Sequence, residues 1–313
     1  MALEAPPLPI AAVGLRALKT VAQVDGVLHP LERDLLESVQ RFILQSDLDL
    51  DALEPIAPDE LAAAVPEGPF RQRIVHGCIM MSLIDGEAGA DELPQVDAFA
   101  RALGIRDASL KDLHRVANGQ LKLLRFDLMR RFLAADRLKK EWNERGLRGI
   151  YELARVAIQG EDAALAARYQ ALEQLPDGTL GREYVRFIRE NEFSLPGERG
   201  SPPELMVFHD CTHVLGSYRT TPDEEALIAA FHAGNRKQDP FGLMLFVVAQ
   251  FHLGIQITPT TGGLRGLIKP QELLQAFQRG AQINRDLVTG WTPQDDFERP
   301  VDELRRELNI LPR

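Results

Sequence analysis

Two histidines four positions apart, His209 and His213, stand with Asp210 beside the first and Glu225 beyond the second, in the pattern HDxxH-x11-E. On a helix His209 and His213 lie one turn apart on one face. At 3.6 residues per turn Asp210 is rotated about 100° from His209 and about 60° from His213, so two imidazoles and a carboxylate can converge on one point. Ser217 to Thr221 breaks the helix. Thr221-Pro222-Asp223-Glu224 reads as a new start, with Thr at the cap, Pro at the first helical position and Glu at the third. Glu225 then falls in the first turn of the next helix, and a helical hairpin can swing it back onto the histidines. Two imidazole nitrogens and two carboxylate oxygens are a mixed donor set for a divalent metal ion, zinc first, with iron, cobalt or manganese as alternatives. If all four groups bind, a water or substrate oxygen must expand the coordination. If three bind, Asp210 becomes the catalytic residue, a partner or proton shuttle beside the metal. Cys211, about 200° round the helix from His209, is expected to be a small buried residue. The competing reading is a hydrogen-bonded His209–Asp210 core pair with an unrelated His213.

The elements that must position these groups read as helices throughout, and strand-like alternation is scarce. Gly14 to Val24 places Leu15, Leu18, Val21 and Ala22 on one face, and Leu31 to Leu44 repeats the pattern with Leu35, Leu36, Val39, Phe42 and Ile43. Arg71 to Ile84, Val96 to Leu103 and Leu110 to Ala134 follow the same rule. The expected fold class is all-α with two helical domains, residues 1–145 and 146–313, joined through the charged stretch Asp127 to Arg148. The longest apolar run, Phe241 to Ile257, has Gln250, His252 and Gln256 within it, and a membrane span needs about 20 clean apolar residues. It reads as a buried core helix. Leu243, Met244, Phe246, Val247 and Phe251 are its candidate lipid-facing side chains. Arg182, Arg186 and Arg189, spaced by 4 and 3 on one helix face, read as a solvated face or a contact for anionic headgroups. His76, His114, His232 and His252 read as polar residues with local partners.

Composition narrows the function classes. The chain has 36 basic and 46 acidic residues, a net charge of −10, which disfavours a nucleic-acid partner. Hydrophobic residues at 45% and charged residues at 26% are ordinary for a globular chain, which argues against disorder as the main state. Two cysteines, Cys78 and Cys211, make no disulfide framework, and the expected location is a reducing one, the cytoplasm, peripheral on the inner membrane face. The first twenty residues carry Glu4 and three prolines and lack the basic start and apolar core of a secretory signal.

An internal repeat marks the first third: Asp25-Gly26 is followed by Glu32, and Asp85-Gly86 by Glu92. Turn and capping roles explain these residues, with Gly past a helix end and Pro30 at a first helical position. A functional reading has the acidic pairs holding a cation. The stretches VAQVDGVLHPLERDLLESV and MMSLIDGEAGADELPQVDAFARALGI resemble the tellurite-resistance-B-like helical domain, over roughly Gly14 to Gln120. That resemblance implies a fold more than a function.

The second half carries a more specific resemblance. LPDGTLGREYVRFIRENEF, HDCTHVLGSY with Glu225, and PVDELRRELNI together resemble the ubiquinone-biosynthesis-protein-four family, over roughly Tyr169 to Ile310. The resemblance implies an all-helical fold, a role in coenzyme Q assembly, and metal ligands at His209, Asp210, His213 and Glu225. It implies a prenylated aromatic quinone precursor as ligand, replacement of a ring carboxylate by hydroxyl, and other quinone-pathway enzymes and a membrane surface as partners. A homodimer is compatible with it. Two alternatives come from other classes: a metallohydrolase using the HDxxH site, and a non-catalytic lipid-binding scaffold with a structural metal.

Overall fold

A computed structural model describes residues 4–86, 91–129, 161–258 and 262–313. Its helices in chain order are α1 (Leu8–Ala22), α2 (Pro30–Ser38), α3 (Pro58–Ala64), α4 (Pro69–Met81), α5 (Glu92–Leu103), α6 (Ala108–Ala117) and α7 (Leu121–Met129). There follow α8 (Ala163–Gln170), α9 (Leu180–Glu190), α10 (Val207–Gly216), α11 (Pro222–Asn235), α12 (Pro240–Phe251), α13 (Pro270–Ala281) and α14 (Val301–Glu307). Among the described residues there is no β-strand, only the isolated bridges Thr179–Pro300 and Leu253–Arg265. The all-α expectation is borne out. Proline opens α1, α2, α3, α4, α11 and α12, where its missing N–H would be unpaired in any case. The charged stretch expected to join the two domains lies, from Arg130 on, outside the described residues.

The contacts group the chain into two compact units. One takes Ala2–Met129 with Asp239–Gln278, the other Arg130–Gln238 with Arg279–Arg313. Asp239–Gln278 therefore groups with the amino-terminal helices, whereas the sequence expectation put it with residues 146–313.

In the first unit, the Asp-Gly pairs turn the chain after α1 and α4, with Gly26 at φ +85° and Gly86 at φ +96°. His29 caps α2: its Nδ1 accepts from the Leu31 N–H at 3.3 Å, and the Glu32 carboxylate accepts from the His29 N–H at 2.6 Å. That is a capping box closed by a histidine. Glu32 is only 3% exposed, and Glu92 lies against it with a buried oxygen, Oε2, that has no hydrogen-bond partner. Burial first, then the neighbouring charges of Glu32 and Asp85, push the Glu92 carboxyl up to about 8. The apolar run is core here. α12 packs on α6 and α7 and buries Leu243, Met244, Val247 and Phe251, with Phe246 half-buried. Phe241 stacks on His76 at 3.9 Å, His76 meets Asp107 at 2.6 Å, and the His252 Nε2–H donates to the Ile84 carbonyl at 2.8 Å. His114 meets Asp97 at 3.0 Å. No helix among the described residues is long and apolar enough to cross a membrane.

In the second unit α9 packs on α10, and α10 on α11 and α14. The Gly-Thr-Leu-Gly segment has a steric cause. A Cβ on Gly181 would meet Leu175 at 2.8 Å and the Phe297 carbonyl at 3.1 Å, and the Gly181 N–H donates to that same carbonyl at 2.9 Å. The start of α9 is thereby tied to the chain that leads into α14. Tyr169, Tyr184 and Phe297 fill the space between, with ring centroids 6.0 Å apart.

Candidate metal centre

α10 carries the HDxxH segment. It ends where Gly216 gives way to Ser217, a left-handed residue at φ +59°. The turn Ser217–Thr221 then leads into α11, with Thr221 as its N-cap and Pro222 in the first turn, as the sequence indicates. The expected capping box does not form: Thr221 makes no side-chain cap bond. The Glu224 carboxylate instead accepts from the Arg219 N–H at 3.2 Å and pairs with Arg313.

This short hairpin brings Glu225 onto both histidines. His209 Nε2 lies 3.2 Å from His213 Nε2, 3.4 Å separates His209 Nε2 from Glu225 Oε2, and 3.4 Å separates His213 Nε2 from Glu225 Oε1. A tetrahedral site with bonds of about 2.0–2.1 Å has ligand–ligand edges of about 3.3 Å, so these separations fit one small cation without rearrangement. Two imidazole nitrogens 3.2 Å apart also need a proton or a cation between their lone pairs. Among the described residues, His209, His213 and Glu225 form a group of metal-ligand type whose donor atoms all lie within 4.8 Å of one another. Asp210 stands outside that group. Its side chain leaves α10 about 100° away from His209 and is one methylene shorter than that of Glu225. It sits half-buried on the flank that faces Tyr184 of α9, whose phenol its charge helps to raise, after burial itself.

The surroundings orient the ligands. The His213 Nδ1–H donates to the Tyr218 carbonyl at 3.2 Å, which turns Nε2 toward His209 and Glu225. Phe187 stacks on the same ring at 5.1 Å, and His213 is only 1% exposed. The His209 ring packs against His232, 5.4 Å away, and Phe208, 6.4 Å away. His209 and Glu225 keep 24% and 31% of their side-chain surface, so the centre is reached from their side. Burial disfavours a charged His209, but the Glu225 carboxylate outweighs it and holds this imidazole above its ordinary pKa. Burial likewise opposes a charged Glu225, yet hydrogen bonds from both histidines bring it down to about 2. Asp210 is raised, by burial first, with the two histidines opposing the shift and Glu225 adding to it. Burial pushes the Cys211 thiol well up and leaves it inert. Three donor groups with one open side would suit a metal site that accepts a substrate or water oxygen, rather than a closed structural site.

Sequence reasoning found the three converging groups and missed what holds them. Arg305 of α14 donates from Nε to the Leu215 carbonyl at 3.0 Å and from Nη2 to the Val214 carbonyl at 2.9 Å, closing the end of the histidine helix. Phe187 and His232 carry no local signal for such a role. Arg182, Arg186 and Arg189 pair with Asp177, Glu183, Glu173 and Glu198, so their charges are largely answered within the fold.

Comparison with known proteins bears out the resemblance read from the second half. A protein of Danio rerio named ubiquinone biosynthesis protein COQ4 homolog, mitochondrial, is 28% identical over 151 residues, 44% of this chain and 52% of that protein. The Xenopus laevis protein of the same name is 26% identical over 178 residues, 53% of this chain and 57% of its own length. The chain spans about half the length of the curated relatives it matches. No family model matches it.

Proposed function

We propose that this chain, a relative of the COQ4 homologues over about half its length, acts in quinone biosynthesis as a metal-dependent protein that binds a prenylated aromatic precursor. The observation that carries this reading is the meeting of His209, His213 and Glu225 at 3.2–3.4 Å, in the order HDxxH-x11-E. Zinc is the leading metal, and His209, His213 and Glu225 would hold it. When bound, such a metal supplies a Lewis acid for a carboxylate or phenolate oxygen of a hydroxybenzoate ring. The remaining work falls to the chain. The His213 Nδ1–H bond to Tyr218 fixes one ligand's tautomer, and the open side at His209 and Glu225 admits the ring. Asp210, a carboxyl raised by burial, stands beside the centre as the residue able to give or take a proton. The reaction this reading assigns is decarboxylation of a prenylated hydroxybenzoate, the carboxylate leaving as carbon dioxide and a proton taking its place on the ring; replacement by hydroxyl would in addition need dioxygen as the oxidant. Other quinone-pathway enzymes and a membrane surface are its expected partners.

The test is to purify the chain, measure bound metal, extract bound lipid for mass spectrometry, and compare wild type with His209→Ala. Metal lost on substitution, together with a prenylated aromatic in the wild-type extract, supports the reading. Metal without such a lipid, accompanied by turnover of a phosphoester or peptide, replaces it with a metallohydrolase. A His209→Ala chain that lacks metal yet restores quinone synthesis in a deficient strain makes the protein a scaffold.

A further inference from the structure

Three arginines from distant parts of the sequence converge on one turn, Val214 to Tyr218, immediately after the histidine helix. Arg305 donates to the Val214 and Leu215 carbonyls and, at 3.0 Å, to Ser217 Oγ. Arg279, itself 7% exposed, donates to the Gly216 carbonyl at 3.2 Å and to the Tyr218 hydroxyl at 2.6 Å. Arg313 donates to the Ser217 carbonyl at 3.4 Å and lies 4.9 Å from the Tyr218 ring centre, while Arg279 lies 5.3 Å from it. At the centre of this grip is Ser217 at φ +59°, a left-handed conformation that a residue with a Cβ adopts only when its surroundings hold it there. The next residue, Tyr218, presents the carbonyl that accepts the His213 Nδ1–H.

The path from arginines to metal ligand is therefore short and continuous. Guanidinium forks fix the turn, the turn fixes the Tyr218 carbonyl, and that carbonyl sets the tautomer and ring plane of His213. Phe187 holds the other face of the same ring. Arginine suits the task because its planar fork reaches two acceptors in fixed geometry, which lysine does not. The interaction also places positive charge at the carboxy end of α10, where the helix dipole favours it. The Arg-bearing tail motif PVDELRREL thus acquires a job at a centre far from it in sequence.

We propose that Arg305, with Arg279 and Arg313, is a positioning residue for the metal centre, acting through Ser217 and Tyr218 to hold His213 in its ligating orientation. The proposal rests on the reading of His209, His213 and Glu225 as a metal centre. It adds that the centre's affinity and geometry are set by residues that touch neither metal nor ligand.

The test uses the full chain with zinc and with cobalt(II) as probes. Zinc affinity is measured by competition with a chromogenic chelator, cobalt geometry by its visible absorption, and folding by circular dichroism. Arg305→Gln should weaken zinc binding about 10- to 100-fold, the usual effect of losing a group that orients a ligand. It should also change the cobalt spectrum while the helical signal stays. Ser217→Gly, which keeps the left-handed turn but removes its stiffness and the Arg305 acceptor, should weaken binding about tenfold in a folded protein. Arg299→Gln, on the same tail but paired with Asp296, Glu303 and Glu307, should leave both readouts unchanged. Wild-type affinity and spectrum in both Arg305→Gln and Ser217→Gly would overturn the proposal and leave the metal centre standing. Equal losses in Arg299→Gln and Arg305→Gln would overturn it as a general charge effect. If Arg305→Gln fails to fold, Ser217→Gly decides alone. A wild-type chain that binds neither probe removes the metal reading and this proposal together.

Discussion

Replacing Glu92 by Gln should stabilise the amino-terminal unit, increasingly as pH rises from about 4.5 to about 8. In an unfolded chain this carboxyl gives up its proton near pH 4.5; in the fold, buried beside Glu32 and near Asp85, it keeps it to about 8. Between those values the native state binds one proton more than the unfolded state, so stability falls as pH rises. The contribution is complete below about pH 4.5 and gone above about pH 8. A shift from 4.5 to about 8 sets an upper bound of about 5 kcal/mol at 1.36 kcal/mol per unit. Because Glu92 keeps partial access to water, and because Glu32 shares the titration, about 1–3 kcal/mol is the expected gain. Glutamine has the shape of the protonated acid and no charge to release. Urea denaturation at pH 5 and pH 9 reads the effect directly. The variant should match wild type at pH 5 and exceed it at pH 9, with wild type alone losing stability across the interval. Parallel loss in both proteins would show that the Glu32–Glu92 contact does not carry the proton, and the reasoning would fail.

Three further outcomes follow from the metal centre and its supports. Glu225→Gln should weaken zinc retention by at least tenfold, since a neutral amide replaces the anionic donor; isothermal titration checks it, and unchanged affinity would mean that α11 does not close on the histidines. Zinc affinity should fall as pH is lowered, beginning above the ordinary imidazole value of 6.5, because His209, held above that value by Glu225, must lose its proton to bind; a flat profile between pH 8 and 6 would contradict this. Gly181→Ala should cost about 1–3 kcal/mol, because its Cβ would press on Leu175 and on the Phe297 carbonyl, and thermal melting reads the loss. A wild-type melting temperature would place the tail elsewhere.

What could be read from the sequence was local. Pro30 and Pro222 at the starts of α2 and α11, the Asp-Gly turns at Gly26 and Gly86, and the break after Gly216 are decided by a few neighbouring residues, and the structure has them where the pattern puts them. The hairpin that joins His209, His213 and Glu225 is local as well, so its spacing was legible. Three features were not. Glu224 had the position of a capping-box residue, but Arg313, 89 positions away, takes its carboxylate. The run Phe241–Phe251 gave its burial but not its companions, which include α6 and α7. The support of Ser217 and Tyr218 comes from arginines whose own surroundings look like an ordinary charged tail. Each depends on contacts between segments far apart in the chain, and periodicity carries no information about those.

The closeness of the three proposed ligands in sequence has a consequence for how the protein is made. Residues 209–225 can sample their hairpin soon after they leave the ribosome, because its contacts are short-range, but nothing yet holds Ser217 in its left-handed turn. Arg279, Arg305 and Arg313 emerge later. A nascent chain would therefore hold a loose centre first and mature it only when residues 279–313 dock. Exchange of ions during synthesis would be quick, and retention would be a property of the finished molecule.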